Sequence, residues 1–387
     1  MKTSAGALRY KRTAKHPTLA VVIVAISLLS LSVPAKADCN PPQEGLDWPI
    51  ATPESVGLNR TTLCALVDKF DAWTTSELHS VLVVRHGKLV FEHYFTATFQ
   101  DQRIQYDAER KNDMRSITKS VTSLLLGAAI DRGWVASIDL PVLSFFPEYA
   151  DLATPEKERI TIRHLLMMAH GLEWDERRPY SDPTNSEIVM GRSPDPYRYA
   201  LEQPVAKPPG TVFNYSAASS ALIAGMLRKQ TNRPLDALAR ILLLDPLGIA
   251  SVEWYRYSNG HPAASYGLIM RPRDLAKIGQ LVLGRGLWNG TQIVSSAWID
   301  AATAPQIQVN AFGTPQYGYQ FWLGYSVSSD GKRKVDWSAG LGLGGQRVNI
   351  MPSLDLVVVI TAGLYTSSLQ STVPTIILSN YVLPAVE

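Results

Sequence analysis

A serine and a lysine three residues apart, Ser116 and Lys119, stand at the head of an apolar run, and they are the residues best placed for covalent chemistry. Apolar side chains at Ile117, Val121, Leu124, Leu125 and Ala128 recur at helical spacing. A helix there puts Ser116 and Lys119 on one face of its first turn, hydroxyl beside amine. A serine that attacks a carbonyl needs a base within hydrogen-bond reach, and a desolvated lysine can lose its proton and serve. The helix dipole also favours negative charge developing on the serine oxygen. The competing reading is an N-cap serine with an exposed lysine one turn on. The spacing alone does not decide. Ser329 and Lys332 repeat it in a polar Asp-Gly stretch that reads as a hairpin turn.

Two further stretches carry candidate chemistry. Pro208-Pro209-Gly210 breaks the chain just before Tyr215, which precedes a helical pattern. A tyrosine near a lysine amine can relay a proton to a leaving group, whereas an isolated tyrosine is more often a partly buried core residue. The stretch 340–346 formally matches Gly-x-Gly-x-x-Gly. A dinucleotide loop should open a helix, but Gln346-Arg347-Val348-Asn349-Ile350 reads as a strand, so the nucleotide reading is rejected. Gly342, Gly344, Gly345 and Gln346 are instead candidates for close ligand approach, with backbone amides for an oxyanion; the alternative is a plain glycine-rich turn. The chain has no Gly-x-Ser-x-Gly elbow and no His-Glu-x-x-His.

These residues need elements to hold them. The pattern predicts a short helix over 63–73, a β-hairpin over 80–95 turning at Gly87, and the Ser116 helix ending near Gly133. Helices follow at 162–170, from 216 through 247, at 273–283 and at 295–302. Strands return at 318–325, 334–338, 347–351 and 356–361, before a closing helix at 370–381. Strands at both ends with helices between them predict an α+β fold, its sheet built from 38–115 and 310–387 and a mainly helical lobe inserted over 116–309. The polar stretch 173–196, with Trp174 and Tyr180, is expected to shape a pocket.

Residues 1–37 read as a removable export leader: basic residues to Lys15, an apolar segment over 19–33, and Ala35-Lys36-Ala37 as a cleavage site. The predicted location is therefore periplasmic or secreted, with no membrane anchor after cleavage; an uncleaved anchor is the rival. The leader's six Lys and Arg, with no acid, account for a fall in net charge from +3 to −3 on its removal. Nothing in the remainder suggests nucleic-acid binding. The two cysteines, Cys39 and Cys64, can pair in an oxidising compartment, or Cys64 can be a buried thiol. The histidines show no ligand spacing, so neither a metal nor another cofactor is expected.

In order along the chain, Met114-Arg-Ser-Ile-Thr-Lys-Ser120, the stretch 160–174, Pro209-Gly-Thr-Val-Phe-Asn-Tyr215, Arg273-Asp-Leu-Ala-Lys-Ile-Gly279 and Gly344-Gly-Gln346 resemble the serine β-lactamase and penicillin-binding protein superfamily. The similarity is greatest to its class C-related branch of esterases, D-aminopeptidases and 6-aminohexanoate-dimer hydrolases. The resemblance implies Ser116 as the acylated nucleophile, Lys119 as its base and Tyr215 in the place of the tyrosine of Tyr-x-Asn. It implies an antiparallel sheet flanked by helices, beside a helical lobe. Two departures stand out. Ser216-Ala217 replaces the expected x-Asn, and Trp337-Ser-Ala-Gly340 has no Lys or His where the family carries Lys-Thr-Gly or His-x-Gly. That third motif helps bind a substrate carboxylate, and nearby Arg347 and Lys334 are the candidates to replace it. The expected activity is hydrolysis of a small ester or amide through an acyl-enzyme, with Trp174 lining the site. A β-lactamase or D,D-peptidase, and a catalytically silent binding protein of the same fold, are the alternatives.

Overall fold

The computed structural model describes residues 39, 48–309 and 316–387; the segment read above as an export leader lies outside them. At its centre is an antiparallel sheet of eight strands. In chain order they are β1 (Leu78–Arg85), β2 (Lys88–Tyr94), β3 (Ile307–Gln308), β4 (Gln316–Tyr317), β5 (Trp322–Val327), β6 (Lys334–Gly342), β7 (Gln346–Met351) and β8 (Leu356–Ala362). Their spatial order is β3-β4-β5-β6-β7-β8-β1-β2, so the two ends of the chain meet where β8 pairs with β1, Val83 opposite Val358. The β1–β2 hairpin turns at His86 and Gly87, both with positive φ. That conformation matches the strand twist and is easiest for glycine.

Both faces of the sheet are covered, which is why its central strands read as continuous apolar runs rather than alternating ones. Val81, Val83, Val358 and Ile360 pack with α1 (Arg60–Ala72) and the C-terminal helical segment from Leu369. Leu82, Val84, Val357 and Val359 face the larger core, which includes α2 (Ile117–Asp131). Cys39 and Cys64 are joined by a disulfide, with their Cα atoms 5.7 Å apart.

The middle of the chain departs from the sequence expectation in two respects. Short strands occur there: Asn112–Asp113, Glu253–Trp254 and Leu268–Met270 form a small sheet. Also, the helix Pro272–Leu283 packs directly on the main sheet. A Cβ at its Gly279 would lie 2.6 Å from Val357 and 2.8 Å from Val348, so the glycine permits the close approach. Buried Glu92 on β2 then accepts both Arg273 Nε (2.6 Å) and Arg273 Nη2 (2.8 Å), locking the helix to the sheet. Among the described residues no helix is long and apolar enough to cross a membrane.

Candidate active site

The backbone turns sharply into α2. Arg115 has φ +49°, a strained value for a side-chain-bearing residue, and Asp113 steadies it by accepting its backbone N–H at 2.9 Å. Ser116 follows as the N-cap residue, but its side chain does not cap the helix. Its hydroxyl is therefore left for other partners. Lys119 is almost fully buried, with Nζ 3.2 Å from Ser116 Oγ and 3.0 Å from the carbonyl oxygen of Ser265. The exposed-lysine reading fails here. The second Ser-x-x-Lys lies in the hairpin between β5 and β6, where Lys332 is exposed and faces Asp330.

Tyr215 comes to the same point from the loop before the helix Ala217–Thr231. Its side chain is hydrogen-bonded with Ser116, and the Lys119 amine lies 4.6 Å from its ring centroid. The ring also stacks on Trp322 of β5, at 5.5 Å between centroids. Burial holds the phenol well above its usual 10, and Glu176 and Glu187, both ionised at the high pH where the phenol would titrate, add to the shift. Tyr215 thus keeps its proton and is suited to donate rather than to abstract one.

β6 forms the other wall. A Cβ on Gly340 would lie 3.1 Å from Ile117, and one on Gly342 would lie 2.5 Å from the Met114 carbonyl, so both glycines let the strand lie against the serine stretch. The remaining candidates in this segment serve the frame. The Gly344 amide donates to Gln370 Oε1 at 3.1 Å, Gly345 is buried against Ala362 and Gln370, and the fully buried Gln346 side chain bonds the backbone of Ala362. Leu343, not a glycine, lines the cavity with Ser116. Among the described residues the backbone N–H groups of Ser116 and Leu343 make no hydrogen bond to another backbone group.

The cavity at Ser116 has a volume of about 730 Å³ and is bordered by Tyr180, Glu187, Arg192, Tyr266, Leu343 and Tyr365 among others. Trp174 is not among its lining residues; it borders a separate cavity of about 400 Å³ with Glu176 and Tyr215. Neither candidate for the missing third motif reaches Ser116. Lys334 lies 4.0 Å over the Tyr325 ring at the far end of β6, and Arg347 is turned toward Gln370, its guanidinium lowered to about 10 by burial. The sequence reading missed Glu176, Glu187 and Ser265. The first two sit in the polar stretch noted for its aromatic residues, and only the fold sets Glu176 in electrostatic range of Lys119 and Glu187 against Ser265.

A buried lysine amine and a protonated phenol on one serine hydroxyl, between an antiparallel sheet and a helical layer, define a serine hydrolase of the β-lactamase fold. The chain belongs to the beta-lactamase family, whose profile matches residues 71–372. It is 25% identical over 299 residues to the 6-aminohexanoate-dimer hydrolase of Paenarthrobacter ureafaciens, covering 72% of this chain and 70% of that one. The fold is shared with EstCE1, a hydrolase with promiscuous acyltransferase activity (TM-score 0.64, 16% identity, 81% of this chain and 99% of that one). It is also shared with the octameric penicillin-binding protein homologue of Pyrococcus abyssi (TM-score 0.62, 19% identity, 82% and 76%).

Proposed function

We propose that this protein is an exported hydrolase of small esters or amides that works through an acyl-enzyme on Ser116. The observation that carries the reading is the 3.2 Å contact between buried Lys119 Nζ and Ser116 Oγ, beside a cavity large enough for a small molecule. Ser116 Oγ attacks the carbonyl carbon while Lys119, as the free amine, takes the hydroxyl proton. The backbone N–H groups of Ser116 and Leu343 hold the resulting oxyanion. Tyr215 passes a proton to the leaving nitrogen or oxygen as its bond to carbon breaks, and is reprotonated from Lys119. Water then hydrolyses the acyl ester with the same groups acting in reverse. The similarity to a 6-aminohexanoate-dimer hydrolase supports linear amides as the substrate class. The leader-like segment and the Cys39–Cys64 disulfide support export to an oxidising compartment.

The test is incubation with a fluorophosphonate probe and, separately, with labelled penicillin, followed by intact mass. A fluorophosphonate adduct on the wild type that Ser116→Ala lacks is the expected result. No adduct with either reagent sinks the hydrolase reading, and rapid penicillin acylation with slow ester turnover would replace it by a penicillin-binding activity.

A further inference from the structure

Glu176 is a buried acid that the scheme above does not use. Its Oε1 accepts from Trp174 Nε1 at 2.6 Å and from the backbone N–H of Ala217, the first residue of the helix Ala217–Thr231. Ser216, at the N-cap, makes no side-chain cap and its buried Oγ has no partner, so the cap comes from a loop forty residues upstream in the chain. Tyr215 lies two residues before that amide, and Glu176 and Tyr215 border the same small cavity. Glu176 Oε2 is buried with no hydrogen-bond partner. A helix cap needs only one carboxyl oxygen. A buried acid with its second oxygen left over, near an amine, asks for another explanation.

We propose that Glu176 is a positioning residue for acyl transfer, fixing Tyr215 against Ser116 through the Ala217 amide and setting a carboxyl group in electrostatic range of Lys119. The proposal rests on the reading of Ser116 as nucleophile. Five ionisable groups interact with Glu176: Glu187 from the helix Ser186–Arg192, Lys119 from α2, Tyr180 and Tyr215 from the loops, and Tyr317 from β4. Burial and Glu187 push the Glu176 carboxyl up to about 8, against the opposing pull of Lys119. Below that pH the group is a neutral acid, with Oε1 accepting as observed and the proton on Oε2. Above it, a negative charge faces the Lys119 amine. Loss of the neutral form therefore changes both the orientation of the phenol and the charge next to the base.

The experiment measures the rate of Ser116 labelling by a fluorophosphonate, and ester kcat/KM, from about pH 6 to about pH 10. The wild type is compared with Glu176→Gln and Glu176→Ala. Glutamine reproduces the neutral acid, so Glu176→Gln should label at pH 7 much as the wild type does while losing the wild-type inflection near 8. Glu176→Ala releases the loop and should slow labelling by about tenfold to a hundredfold with KM little changed. Superimposable pH profiles for the wild type and Glu176→Gln overturn the assignment, as does an alanine variant labelled at the wild-type rate. Should Glu176→Ala fail to fold by circular dichroism, the glutamine profile alone decides. A wild type that takes no label removes the hydrolase reading and this assignment together. A labelled wild type with unchanged profiles removes only this one.

Discussion

The Lys119 amine is held by the main-chain carbonyl of Ser265, 3.0 Å away. That contact fixes the side chain so that its other reach is to Ser116. Ser265 in turn donates from Oγ to Glu187 Oε1 at 3.0 Å, so the segment presenting the carbonyl is tied to the helix Ser186–Arg192. Among the described residues no carboxylate lies within ion-pair distance of Lys119. Its two partners are oxygens that accept from either form of the amine.

Replacing Lys119 with Met keeps the length of the side chain and removes the nitrogen. Ser116 labelling should fall by about 10²–10⁴ if the amine is the base that removes the serine proton. A labelling rate unchanged in a folded Lys119→Met protein assigns the base elsewhere.

Tyr215→Phe separates two kinds of leaving group. An amine must receive a proton as it departs, whereas a nitrophenolate leaves without one. The variant should lose about 10²–10⁴ in kcat on an amide and far less on a nitrophenyl ester. Equal losses on both substrates would place the role of the hydroxyl at the Ser116 attack instead, because phenylalanine keeps the ring stacked on Trp322 and loses only the bond to Ser116.

Much of this arrangement was legible in the residues. The helix at Ser116 was readable because its buried face repeats at helical spacing, and the sheet because its strands are apolar runs bounded by turns. The family resemblance supplied Tyr215, which spacing alone left open between acid and core residue. The carboxylates were not readable. Glu176 and Glu187 lie in a polar stretch without periodicity, and their importance comes from burial, Glu176 in electrostatic range of Lys119 and Glu187 against Ser265, which only the tertiary fold creates. The glycine-rich segment misled for a related reason. It does meet the serine stretch, but through the missing side chains of Gly340 and Gly342, while the amide of Gly344 is taken by Gln370.

The absence of a third-motif cation has a kinetic consequence. Arg347 packs away from the cavity and Lys334 stacks on Tyr325, so Arg347→Gln and Lys334→Gln should leave KM unchanged for substrates with and without a terminal carboxylate. A selective rise in KM for the carboxylate-bearing substrate in either variant would show that the cation reaches the substrate after all.

Acid should destabilise the fold through buried histidines. His79, bonded to Asn112 Oδ1 and stacked on Tyr106, is lowered by burial to about 4, and so is His170. Both values lie below the ordinary 6.5, so between pH 6.5 and pH 4 the unfolded chain binds more protons than the folded one. Their contribution is complete above 6.5 and is lost as the pH falls toward 4. Urea midpoints measured across this window should drop for the wild type and drop less steeply for His79→Gln. Equal slopes for the two proteins would move the acid sensitivity away from this residue.

The bond between Glu92 and Arg273 offers the sharpest test of how the sheet and the helix Pro272–Leu283 are joined. The Glu92 side chain is fully buried and the Arg273 side chain nearly so, with two parallel N–H···O contacts between them. Tyr94 also donates its hydroxyl to Glu92. Removing only the acid strands a buried guanidinium, which costs about 3–5 kcal/mol. Removing both partners spares most of that penalty, because no charge is left alone. Glu92→Ala should therefore be markedly less stable to urea than the double variant Glu92→Ala with Arg273→Met. Neither residue lines the cavity at Ser116, so Ser116 labelling in whatever fraction stays folded should remain near the wild-type rate. A double variant as unstable as the single one would mean that the pair contributes net attraction, not merely mutual neutralisation.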